Sequence, residues 1–162
     1  MESTLVKAVN FLAFRLRIQP SNTLLSFQIG DLGAGYALLR AGRVFNNEQW
    51  WACGLDFLGK RAGSVLANAE IIRNAGMLTG AAGAALVFNK IHALTGNILF
   101  EAAAELCFAM ILPLHKSCAD SQYLKDAVPE LCFSTGRLGA GAVLIKWLHQ
   151  HELDFDPLLW LI

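Results

Sequence analysis

Apolar residues recur along this chain at helical spacing. Between Thr4 and Arg17 the residues Leu5, Val9, Leu12 and Leu16 are separated by four, three and four positions, which predicts an amphipathic helix. Pro20-Ser21-Asn22 breaks it. Leu24 to Ile29 is a short apolar run compatible with extended chain. From Asp31 onward, Leu32, Tyr36, Leu39 and Val44 predict a helix that ends at Gly42. Asn46-Asn47-Glu48 reads as a turn with a capping residue, opening a second helix that runs to about Lys60. The same order then returns. Gly76 to Leu94 is a helix, Thr95-Gly96-Asn97 a turn, and Ile98 to Leu112 a second helix ended by Pro113. Leu131 to His149 begins a third unit, and Asp154-Phe155-Asp156-Pro157 opens a last segment, Leu158 to Ile162. No strand pattern alternates with these helices, so the predicted class is all-α.

Three glycine cassettes mark the units: Gly30-Asp31-Leu32-Gly33, Gly80-Ala81-Ala82-Gly83 and Gly136-Arg137-Leu138-Gly139. They stand fifty-odd residues apart, the length of one supersecondary unit stacked on its neighbours. Glycines so spaced resemble a dinucleotide fingerprint, but such a fingerprint follows a strand in a βαβ unit, and none is predicted here. The structural reading is stronger. Small residues at a helix start let backbones approach where the first helices of successive hairpins converge around an axis. The predicted architecture is an α/α toroid of helical hairpins over residues 1–162, with about half of a complete ring.

Composition sharpens this. The apolar fraction is 55% and the charged fraction only 16%, so helices are buried on most sides or a large surface awaits a partner. The formal net charge is zero, which argues against a nucleic-acid partner. A spanning helix needs about 20 apolar residues. The run from Asn74 to Asn89 meets Lys90, and Ala102 to Leu114 is broken by Glu105, so no membrane span is expected. Met1-Glu2-Ser3-Thr4 lacks the basic start of a signal peptide, and the expected location is cytoplasmic. Cys53, Cys107, Cys118 and Cys132 show no two-residue spacing of a zinc knuckle or redox pair and read as small buried hydrophobes. His115 and Cys118 share a helix face but bring no further ligands, while His149 and His151 face apart.

The run Gly30-Asp31-Leu32-Gly33-Ala34-Gly35-Tyr36-Ala37-Leu38-Leu39-Arg40-Ala41-Gly42 resembles a motif of the lanthionine synthetase C-like proteins. Asn74-Ala75-Gly76-Met77-Leu78-Thr79-Gly80-Ala81-Ala82-Gly83, with Phe88-Asn89-Lys90 and Leu94-Thr95-Gly96-Asn97 after it, is similar to their second metal motif and its hairpin. Phe133-Ser134-Thr135-Gly136-Arg137-Leu138-Gly139-Ala140-Gly141, with Asp156-Pro157-Leu158 beyond, is similar to their C-terminal cassette. The resemblance covers about residues 5 to 162 in order and spacing. It implies an α/α toroid whose cassettes line a central cavity. It also implies lanthipeptide maturation, in which zinc presents a cysteine thiolate that adds to a dehydroamino acid and closes a thioether ring.

The metal ligands of that pattern are replaced. The first ligand cysteine falls on Gln28, the second on Leu78, and the ligand histidine on Thr79. Leu78 has no lone pair, and Gln28 and Thr79 offer neutral oxygen, a poor match to zinc in thiolate chemistry. The family's proton-transfer residues lie in units this chain lacks. No zinc, no other cofactor and no cyclase activity are therefore expected, only a binding or scaffolding role towards a precursor peptide or a modification enzyme. An open half-ring leaves apolar faces exposed, so self-association, a chain supplying the missing half, or a chain that is a fragment of a longer cyclase-like product is also expected.

The remaining polar residues have plainer roles. Asp31 at a helix start reads as a cap meeting the positive dipole end. Arg137 reads as an ion-pair partner of Glu130 or another acid. Asp154 and Asp156 would be the carboxylate pair of a carbohydrate-cleaving α/α-toroid hydrolase, the alternative reading, but beside Pro157 they more simply start a segment. Trp50, Trp51, Trp147 and Trp160 read as packing residues.

Overall fold

The computed structural model describes residues 25–27, 30–119, 133 and 136–149, the side chains of 115–119 and 137 excepted. Among them the chain is all-helical. Five α-helices follow one another: α1 Asp31–Val44, α2 Glu48–Ala67, α3 Ala81–Thr95, α4 Ile98–Ala119 and α5 Arg137–His149. A 3₁₀ turn, Ala69–Ile71, follows α2. The predicted helix over Thr4 to Arg17 and the segment from Asp154 lie outside the described residues, as do positions 24, 28 and 29 of the predicted extended run. No helix of the described residues is long and apolar enough to cross a membrane.

The helices pair as two hairpins, α1 with α2 and α3 with α4. The hairpins lie side by side, second helix against second helix (α2 on α4) and first against first (α1 on α3), and α5 packs on α3 and α4. Small residues set the first hairpin's spacing. A Cβ on Gly54 would stand 2.8 Å from the backbone nitrogen of Leu39, and one on Gly42 would strike the backbone of Trp51. The core between the helices holds Leu32, Leu39, Leu58, Val65, Met77, Phe88, Ile91, Phe100 and Ile111, all fully or almost fully buried. Phe88 of α3 stacks on Phe100 of α4 at 6.2 Å, joining the two arms of the second hairpin. α3 is buried along most of its length, from Ala81 to Phe88, as expected of a central helix that is apolar nearly all round.

Both hairpin turns carry the chemistry their sequence announces. The Asn47 side chain accepts from the Trp50 N–H at 3.1 Å and caps α2. Gly96 ends α3 with φ +67°, in the left-handed region that favours glycine, and the Asn97 side chain accepts from the Leu99 N–H at 2.9 Å.

Five boundaries differ from the sequence expectation. α1 runs on to Val44, two residues past Gly42. α2 continues past Lys60 to Ala67, because Leu58, Ala62 and Val65 carry its buried stripe onward. α3 begins at Ala81 and not Gly76, since the residues before it form a corner described below, and α5 begins at Arg137 and not Leu131, with Phe133 and Gly136 outside the helix and residues 131, 132, 134 and 135 not among those described. α4 does not stop at Pro113 but passes through it to Ala119. Proline removes the bond to the carbonyl four residues back, at Ala109, and both residues are exposed, so water can take that carbonyl. Ile111 and Leu114 keep the helix anchored on the core.

Candidate functional site

The three cassettes build the same corner three times. At Gly33, Gly83 and Gly139 a Cβ would overlap the carbonyl oxygen of the residue six positions earlier: Phe27, Met77 and Phe133 respectively. Each first helix thus starts with its own lead-in folded against the helix's third residue. The backbone approach that the small residues allow is made by this lead-in. The Gly33 and Gly83 N–H groups also point at carbonyls seven residues back, those of Ser26 and Gly76, at 3.5 and 3.4 Å. Gly30 and Gly80 take extended backbone as the residues preceding α1 and α3.

Adjacent corners are joined. The Phe27 N–H donates to the Leu78 carbonyl at 2.9 Å, and the Ser26 hydroxyl donates to the same oxygen at 3.1 Å. A Cβ on Gly139 would lie 3.0 Å from the Met77 Cβ, so the third corner abuts the second. The loop carrying Leu78 and Thr79 is therefore held against the two residues that precede position 28. Gln28 itself lies outside the described residues.

The second corner is fixed by Asn74. Its Oδ1 accepts from the Gly76 N–H at 2.9 Å and from the Thr79 hydroxyl at 3.3 Å. Its Nδ2 donates to the Thr79 carbonyl at 3.2 Å, and its own carbonyl accepts from the Ala81 N–H at 2.9 Å. One asparagine thus closes a seven-residue loop and leads into α3, an Asx-type arrangement. The Thr79 hydroxyl is committed to this clamp. Leu78 is half-buried, its side chain packed against the core.

Asp31, in the first turn of α1, is buried with a side chain 3% exposed. Arg61 of α2 meets it with Nε 2.7 Å from Oδ2. The carboxylate is thereby tied across the hairpin as well as lying at the positive end of α1. No sequence periodicity announces this pair, because its members stand thirty positions apart on different helices. Arg137 opens α5, but its side chain and Glu130 lie outside what is described, as do Asp154, Asp156, His151, Cys132 and Trp160 and the side chains of His115 and Cys118. Gly136 is half-buried and Gly139 buried at the third corner.

Burial pushes the Cys107 thiol up to about 12 from 9.0, so it stays protonated near neutral pH and is neither a ready nucleophile nor a ready thiolate ligand. Cys53, read as a buried thiol, is instead exposed. It sits on the solvent side of α2, because Gly54 takes the close-packed position beside it. Among the described residues no three His, Cys, Asp or Glu side chains come together as a metal would need. Trp51 packs against the core, Trp50 meets Phe45 edge-on at 6.1 Å, and Trp147 of α5 stacks on Phe108 of α4 at 4.9 Å. An open depression of about 310 Å³ lies at the α1–α2 turn, lined by Gly42, Arg43, Asn46, Asn47, Glu48 and Trp51. Comparison of the chain with protein-family models, with curated proteins and with solved structures finds no match.

Proposed function

We propose that this chain is a lanthionine synthetase C-like segment of an α/α ring in which the corner that would hold metal serves structure instead. Its role is binding or scaffolding of a peptide or an enzyme in the cytoplasm, without cyclase chemistry. One observation supports this above the others. The loop of Leu78 and Thr79 lies against Ser26 and Phe27, the arrangement a shared metal site would need, yet what it offers is an apolar side chain turned to the core and a hydroxyl bound to Asn74. Zinc does not fit that donor set. The repeated corners and the side-by-side hairpins support the ring reading.

Elemental analysis of the purified full chain tests it in both directions. The wild-type chain is expected to carry no stoichiometric zinc. The triple variant Gln28→Cys, Leu78→Cys, Thr79→His is expected to bind one zinc ion per chain, because it returns two thiolates and an imidazole to loops already held together. Stoichiometric zinc on the wild-type chain, or none on a folded triple variant, overturns the reading.

A further inference from the structure

The α3–α4 turn holds one histidine ring in a single tautomer. Gly96 closes α3, its N–H donating to the His92 carbonyl at 2.7 Å, and Asn97 caps α4. The Asn97 carbonyl is thereby set beside the last turn of α3, 3.1 Å from Nδ1 of His92. A carbonyl only accepts, so the contact assigns the proton of the neutral ring to Nδ1 and leaves Nε2 with a lone pair. Nε2 faces Glu101, in the first turn of α4, across 4.0 Å to Oε1. The His92 side chain is 28% exposed and that of Glu101 51%, so the pair is open to water. Helix dipoles favour a base at the end of α3 and an acid at the start of α4, which accounts for the sign of each residue but not for the orientation of the ring.

The separation decides what fits between the two atoms. It is too long for an Nε2–H donating to the carboxylate, which asks for about 2.7–3.2 Å. It lies within the span of two ligands on one metal ion. At bonds of about 2.0–2.2 Å, a nitrogen and an oxygen stand about 3.4 Å apart at a tetrahedral angle and about 4.2 Å apart in line. We infer that His92 and Glu101 bind an exchangeable divalent transition-metal ion of the zinc and copper class across the turn, with water completing its coordination. A ligating imidazole ordinarily donates its other N–H to a carbonyl or carboxylate, which fixes ring and tautomer, and the Asn97 carbonyl takes that part here. Imidazole with carboxylate suits these ions, whereas calcium and magnesium ask for oxygen alone. The Thr95 hydroxyl, bonded to the Ile91 carbonyl at 2.8 Å, adds to the hold on the turn, and the exposed Glu101 side chain has room to close on the ion. A resident metal would need a third protein ligand. Two leave the ion in exchange with solvent, so it is lost on purification and the elemental analysis above is unaffected. The cassette corners take no part, and the inference stands apart from the proposed function.

The test is titration of the full chain, stripped with a chelator, with Zn²⁺ alone. Imidazole ¹⁵N resonances read the four histidines separately. Before metal is added, His92 is expected to be the Nδ1–H tautomer. Zn²⁺ is expected to shift its Nε2 resonance saturably. Glu101→Gln is expected to raise the Zn²⁺ concentration needed at His92 at least fivefold. Glu105→Gln, one turn further along α4, is expected to leave it unchanged. An Nε2–H tautomer in the metal-free ring overturns the site. So does a His92 ring untouched at Zn²⁺ concentrations that shift the other histidines, or wild-type affinity at His92 in folded Glu101→Gln.

Discussion

A methyl group added at Gly83 would meet the Met77 carbonyl, and Gly33 and Gly139 have the same problem with Phe27 and Phe133. Gly63 is the opposite case, a helical glycine with nothing near the place a Cβ would occupy. The two kinds should therefore respond with opposite sign to alanine. Gly83→Ala and Gly33→Ala must displace backbone and are expected to lower stability by about 1–3 kcal/mol or more. Gly63→Ala should raise it by roughly 0.5–1 kcal/mol through the helix propensity of alanine. Urea midpoints measure both; equal shifts at Gly63 and Gly83 would remove the steric account of the cassettes. The glycines were plain in the sequence, and so was their repetition. Their reason was not, because the partner is a peptide carbonyl, which every residue possesses. Phe27, Met77 and Phe133 leave a trace only in their number of positions from the glycine. Asp31 and Arg61 were hidden differently: two charges on separate helices show no spacing rule, and only the packing of α1 on α2 brings them to 2.7 Å.

At the level of elements, periodicity and caps located the helices, while tertiary packing set their ends. Asn47 and Gly96 marked the turns correctly because their roles are local: a side-chain acceptor at a helix start and a positive φ at a helix end. The start of α3 was misplaced at Gly76 because Ala75, Gly76, Met77 and Leu78 are compatible with helix, whereas the Asn74 clamp folds them into a corner. Pro113 misled for the converse reason, since a local breaker was overruled by Ile111 and Leu114 holding both sides of it to the core. This gives the proline a measurable cost. Pro113→Ala restores a helical N–H at an exposed site and removes a ring from the helix interior. It is expected to raise stability by about 1–3 kcal/mol, below the roughly 3 kcal/mol or more of a fully interior proline, because the freed carbonyl is hydrated and the unfolded chain gains freedom. A lower urea midpoint for this variant would mean that α4 does not continue through residue 113.

For the whole molecule, the exposed apolar residues on α5 set the question. Leu138 is 51% exposed, Ile145 49% and Leu148 70%, on a helix whose other face is packed on α3 and α4. Ile98 at the start of α4 is 75% exposed. Apolar surface of this kind favours association. Light scattering coupled to size exclusion should find species heavier than 17.6 kDa whose share grows with concentration, and Ile145→Ser with Leu148→Ser should return the chain to monomer. A wild-type monomer at 17.6 kDa across the micromolar range would argue that the row of hairpins is not open at α5. The corners, finally, separate two kinds of information. Each lead-in passes against its helix with the backbone carbonyl six residues back lying where a Cβ would stand, so what a corner enforces is a length. Apart from the glycine itself and, in the second corner, Asn74, its side chains are free to drift as long as the count is kept. Such a joint works as a ruler: it tolerates exchange of the residues it carries and rejects insertion or deletion among them. A protein jointed this way can change what its loops touch, one residue at a time, without altering the path of its chain.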